Sequence, residues 1–203
     1  MRTSSGSNRS AFLLLVLGLG ISASARADEA GSELRLVPGS SIGFKAKTTF
    51  HDFEEKAARA SGTLLLVNGH PVKGHVSCSA TDLKSGDAAR DKAMWGPGYL
   101  NSAKYGSIEF TFESLDGPAV PATGDATGTA HGTLRVRDRD LAVAAPVTYR
   151  STAGGVEITG GFPLDIRKVG FEPPVVAVIQ RMDPVVVISF VLEFSRDGAP
   201  GGK

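Results

Sequence analysis

The stretch Arg90–Phe112, RDKAMWGPGYLNSAKYGSIEFTF, decides how the rest of the chain is read. Its second half alternates: Ile108, Phe110 and Phe112 are apolar while Glu109, Thr111 and Glu113 are polar, the period-two signature of a strand with one dry and one wet face. Its first half does not alternate. From Asp87 to Trp95 the chain carries the helix formers Ala88, Ala89, Arg90, Lys92, Ala93 and Met94, and Gly96, Pro97 and Gly98 stop them. One short helix set against strands reads as a cap on a β-structure.

Outward from this stretch, strand patterns recur at hairpin spacing. Upstream, Ile42, Phe44, Ala46 and Thr48 alternate with Gly43, Lys45 and Lys47, Gly62 to Val67 forms a second strand, and Asn68-Gly69 is a turn signal leading into Val72–Thr81. Downstream come Ile108–Ser114, a Gly/Pro/Ala-rich loop over 117–124, then Ala130–Val136, Leu141–Tyr149, Val156–Leu164 and the strongly apolar Pro184–Ser195. About eight strands with short turns leave no place for helices between them, so the fold class is all-β, an antiparallel barrel or sandwich. Two irregular segments, 85–104 and 168–183, are long enough to cover an open end. The tail RDGAPGGK, 196–203, has the composition of a disordered terminus.

The first 27 residues read as an export signal rather than as fold. Arg2 and Arg9 precede an apolar run from Ala11 to Ile21, and Ala25 and Ala27 give the small-x-small cleavage pattern, so the mature chain is expected to start at Asp28. The run is too short to span a bilayer, the mature chain shows no transmembrane segment, and no Cys stands at the cleavage point to carry a lipid anchor. The expected location is therefore periplasmic or secreted, and residues 28–195 make one domain.

Charge argues against a polyanionic partner. The chain has 22 Lys and Arg against 21 Asp and Glu, and losing Arg2, Arg9 and Arg26 with the signal takes the formal net charge from +1 to −2. Nucleic-acid binding needs a concentrated basic face, and these basic residues are dispersed. The single cysteine, Cys78, shares parity with Val76 and Ala80 and reads as a small buried residue.

Catalytic and metal-binding patterns do not emerge. His51, His70, His75 and His131 fall in no zinc spacing, and His75 and His131 lie on the polar parity of their strands. G-x-S-x-G and the phosphate-cradling glycine loops are absent. The abundant feature is inward apolar area, with Phe44, Phe110, Phe112, Leu134, Phe162, Ile188 and Phe190 on dry parities. Small residues share those parities too, among them Ala46, Gly74, Cys78, Ala80, Gly132, Ala145 and Gly160. An eight-stranded barrel either fills with side chains or holds one ligand, and so many small inward residues are expected to leave room.

Four segments together resemble the YceI-like family: SSIGFKAKTTFHDFEEKAARASGTLLL at 40–66, RDKAMWGPGYLNSAKYGSIEF at 90–110, GTLRVRDRDLAVAAPV at 132–147 and PLDIRKVGF at 163–171. Gly106 stands where that family's Lys-Tyr-Pro pattern has proline. The resemblance implies an eight-stranded antiparallel lipocalin-like barrel with a short capping helix. It also implies an exported, non-enzymatic protein that binds an isoprenoid quinone, a polyprenyl chain or a similar long apolar molecule, with no other cofactor. A hydrolase at the barrel mouth, or a filled barrel acting as an envelope interaction module, is the alternative, and a homodimer is left open. The mouth is assigned to Met94, Trp95, Tyr99 and Leu100, the apolar ligand contacts to Phe44, Phe50, Phe110, Phe112, Leu134, Phe162 and Phe190, and head-group contact to His51, which follows Phe50 at the bend of the opening strand, and to Arg167.

Overall fold

Along the chain the strands are β1 (Ser32–Leu36), β2 (Ser41–Lys47), β3 (Asp52–Ala57), β4 (Ala60–Val67), β5 (His70–Ser79), β6 (Leu83–Lys84), β7 (Ser107–Asp116), β8 (Asp125–Val136), β9 (Arg139–Ser151), β10 (Gly155–Asp165), β11 (Val175–Val176), β12 (Gln180–Arg181) and β13 (Val185–Ser195). Among the described residues one helix, α1 (Ala88–Trp95), and two 3-10 turns, Ala80–Asp82 and Ile166–Val169, complete the set. This computed structural model describes residues 31–47, 52–57, 59–173, 175–176 and 180–198. The expected export signal, Phe50, His51 and the tail beyond Gly198 lie outside the described residues.

Eight strands close on themselves in the order β1-β4-β5-β7-β8-β9-β10-β13, every neighbour antiparallel, and β13 returns to β1 with Arg35 opposite Ser195 and Leu36 opposite Phe194. The expected turn between β4 and β5 is present: Asn68 and Gly69 both take positive φ, 52° and 77°, the left-handed pair that matches strand twist in a two-residue hairpin. Register in β8 and β9 places Leu134, Val136, Val143, Ala145, Val147 and Tyr149 inside and Arg135, Asp140 and Arg150 outside, as alternation requires.

Three strands outside this ring form a branch, β13-β2-β3-β6. β1 and β2 both lie along β13, β2 pairing Ile42 with Phe190 and Phe44 with Ile188. The bend between them is held by Val37 N donating to Glu193 O at 2.7 Å and by Ser40 Oγ donating to Val37 O at 2.9 Å. β3, read as DFEEKA, has no apolar alternation to reveal it in the sequence. The branch ends at β6, which among the described residues pairs with β3 alone, so the wall is interrupted between β6 and β7 at one end of the barrel. The segment 85–106, carrying α1, spans that interruption. We refer to this as the cap end and to the opposite end as the floor.

The buried residues fall into two clusters that match these ends. Leu34, Leu36, Leu64, Val76, Val147, Tyr149, Val156 and Phe194 pack at the floor. Ala46, Leu83, Leu100, Val136, Leu164, Ile166, Val169, Phe171 and Val186 belong to the cap-end cluster.

The inward glycines do not leave room. A side chain at Gly132 would run into the Thr111 carbonyl and meet the Phe110 ring at 2.6 Å. One at Gly160 would meet Pro146 O at 2.7 Å and the Phe190 ring at 2.8 Å, and one at Gly74 would press on Leu64 and Phe112. The space expected at these three positions is already filled, by neighbouring-strand carbonyls together with the Phe110 and Phe190 rings at Gly132 and Gly160 and by Leu64 and Phe112 at Gly74.

Candidate functional site

An eight-residue helix is marginal alone, so α1 depends on its ends and its attachments. Asp87 caps it, its Oδ1 accepting from Ala89 N and Arg90 N, both at 2.9 Å. Asp91, only 7% exposed, accepts from Ser85 N and Ser85 Oγ, both at 2.7 Å, and the Ser85 backbone bond in particular holds its carboxyl below the ordinary range. At the end of the helix, Trp95 Nε1 donates to Leu83 O at 3.1 Å, tying the cap to β6. The Arg137 guanidinium donates to Tyr99 O at 3.0 Å and lies over the rings of Tyr105 and Phe171, and Tyr99 meets Phe171 edge-on with centroids 6.1 Å apart. The two irregular segments of the sequence thus converge on one end of the barrel.

Beneath the cap lies a chamber of about 640 Å³. Strand residues Phe44, Leu134, Val136, Phe162 and Val186 form its wall, Ala93, Met94, Tyr99 and Leu100 its lid, and Val169, Phe171 and Met182 its far side. A second space of about 140 Å³ sits toward the floor, bordered by Phe110, Phe112 and Phe190. Ile42, Cys78, Ile108, Leu134, Phe162 and Ile188 border both, a belt contributed by six different strands. Ile42, Phe44, Ile108, Phe110, Ile188 and Phe190 face inward yet stay only partly buried, because they front this empty volume rather than other side chains.

Of the residues assigned from sequence, Phe44, Met94, Tyr99, Leu100, Leu134 and Phe162 line the cap chamber, and Phe110, Phe112, Leu134, Phe162 and Phe190 line the floor space. Trp95 and Arg167 line neither. Trp95 packs against the cap-end core with its indole nitrogen committed to β6. Arg167 is exposed and forks onto Asp165, Nε to Oδ1 at 2.9 Å and Nη2 to Oδ2 at 2.6 Å, which pulls the Asp165 carboxyl down to about 2. Phe50 and His51 lie outside the described residues.

Arg90 was legible only as a helix former, yet among the described residues it is the one charged side chain bordering the cap chamber. Val169, Phe171 and Met182 reach the chamber through the 3-10 turn after β10 and the segment returning to β13, where no periodicity marks a dry face. Cys78 sits in the belt, and burial, with a smaller contribution from the Asp82 charge, pushes its thiol up to about 11, so it stays protonated near neutrality. His131 Nε2 lies 3.0 Å from Asp116 Oδ2 and His75 Nε2 lies 3.8 Å from Glu109 Oε2, away from the cap chamber. Among the described residues no group of three or more His, Cys, Asp or Glu side chains could hold a metal ion, and no helix is long and apolar enough to cross a membrane.

The match to a family model decides the relationship: the YceI-like domain is found over residues 34–194, from β1 to the end of β13. The chain belongs to the YceI-like family. No curated protein shows significant sequence similarity to it. Among solved structures, this YceI-like chain shares its fold with BcnA of Burkholderia cenocepacia, at 16% identity and a TM-score of 0.63, covering 75% of this chain and 94% of that one. It also shares it with a polyisoprenoid-binding domain from Saccharophagus degradans implicated in plant cell wall breakdown, at 12% identity and a TM-score of 0.65, covering 81% and 98%.

Proposed function

We propose that this YceI-like protein is an exported binding protein that encloses a long apolar molecule, an isoprenoid quinone, a polyprenyl chain or a similar lipid, beneath its cap and does no chemistry on it. The observation that carries this reading is the chamber of about 640 Å³, within the range of small-molecule sites and lined, among the described residues, by apolar side chains with Arg90 as the one charge on its border. Withdrawing several hundred Å² of isoprenoid surface from water, at ~25 cal/mol per Å², gives a gross gain on the order of 10 kcal/mol before ordering costs. The name of the Saccharophagus degradans domain, which shares the fold, supports the same ligand class. Arg90, rather than Arg167, is the residue suited to meet a polar end group at the lid.

Export rests on the sequence, with cleavage after Ala27 and delivery to the periplasm or medium. The test is mass spectrometry of organic extracts from the natively purified mature protein, with N-terminal sequencing on the same sample. A stoichiometric long-chain lipid is the expected result. A lipid-free protein that also takes up no quinone or polyprenol in titration would overturn the reading and favour an interaction module.

A further inference from the structure

The floor of the barrel is occupied in a specific way. The Phe110 ring lies over Gly132 on the neighbouring β8, and the Phe190 ring lies in the space that a side chain at Gly160 on the neighbouring β10 would need. A β-carbon at either glycine would collide with the ring, so each pair is a fitted unit rather than loose packing. Between these rings and the cap stands the belt of Ile42, Cys78, Ile108, Leu134, Phe162 and Ile188. The volume is accordingly unequal, about 640 Å³ above and about 140 Å³ below.

From this division we infer that Phe110 and Phe190, seated on Gly132 and Gly160, set an upper limit to the length of chain the protein encloses. The inference rests on the binding reading above and adds the size of the ligand. At ~30 Å³ per water-sized group, the cap chamber holds on the order of 20 heavy atoms and the floor space on the order of five. A chain of about four isoprene units therefore fills the upper chamber, and about one more unit passes the belt. Longer chains leave their excess in water or must lift the rings from their glycines. Below the limit each added methylene is buried, and affinity rises about fourfold per methylene. Above the limit it stops rising.

The experiment is equilibrium binding of all-trans polyprenols of two to eight isoprene units to the mature protein, repeated with the Phe110→Ala/Phe190→Ala double variant and with the milder Phe110→Leu. The wild type is expected to gain affinity up to four or five units and then level off. The double variant is expected to move the plateau to longer chains by at least one unit, with Phe110→Leu moving it the same way by less. An affinity that keeps climbing through eight units in the wild type overturns the limit while leaving the binding reading intact, and that measurement needs no variant to fold. A plateau present in the wild type but unmoved in folded variants removes it from these two rings. No binding at any length overturns both the limit and the binding reading.

Discussion

At the floor, Leu34, Val156 and Phe194 are 2% exposed or less and β1 seals the ring against β13; beneath the cap, Ile42, Phe44 and Ile188 remain partly exposed on the inner face of a wall that β6 does not rejoin to β7. The same strands build both ends. The difference comes from what each strand's neighbour offers: toward the floor, glycines receive phenyl rings and the volume narrows, whereas at the cap end the wall is completed by two irregular segments, one of them carrying α1, that bridge the space without filling it. A small inward residue is therefore ambiguous evidence. It marks room only where no ring from the next strand claims the place.

The sharpest way to break this comparison is to add bulk at each end. Gly132→Leu drives a side chain into Phe110 and the Thr111 carbonyl, and it should cost at least the ~1–3 kcal/mol typical of overpacking, read as a lowered urea midpoint. Ala93→Phe puts comparable bulk at the lid of the empty chamber and should leave the midpoint nearly unchanged while abolishing ligand uptake. Equal destabilisation by the two would mean that the ends do not differ.

A smaller effect is expected at the lid's charge. Arg90→Ala should weaken a ligand with an oxygen-bearing end group about tenfold, the scale of one lost charge-assisted hydrogen bond, and leave a pure hydrocarbon unaffected. Arg167→Ala should change neither ligand, because its fork onto Asp165 lies outside both spaces. Isothermal titration of the two ligands against both variants reads the difference.

A smaller effect still concerns acid. The Asp91 carboxyl is held below its ordinary value of 3.8 by its bonds from Ser85, so its folded form is stabilised when ionised. That contribution is complete above the ordinary value and is lost as pH falls below it through the depressed folded value. The cap should loosen over that acidic window before the floor does, seen as a red shift of Trp95 emission that Asp91→Asn shows already at neutral pH. Coincident loss of Trp95 signal and of far-ultraviolet strand signal in the wild type would count against a separately held cap.

The architecture was legible because alternation is a local property. Ile108, Phe110 and Phe112 announce β7 whatever surrounds them, Asn68-Gly69 specifies its own turn, and Asp87 with Gly96 brackets α1. The site was only half legible. Phe44, Leu134 and Phe162 could be found from strand parity, but whether a dry face meets a void or a ring depends on register across strands, which fixes Phe110 over Gly132 and is not written in either strand alone. Arg90 and Phe171 escaped for a related reason: their positions follow from how two aperiodic segments fold over the same opening.

The ring is complete without β2, β3 and β6, and these three are attached in series, each held mainly by the one before it and all of them by β13. Two scales of stability are therefore expected in one domain. Local opening is expected to start in this branch rather than in the closed ring, from its end at Leu83, whose carbonyl accepts the Trp95 indole hydrogen bond. One aromatic side chain thus ties the end of the branch to the cap, so that losing its bond is expected to loosen the wall beside the chamber while the eight-stranded ring stays paired.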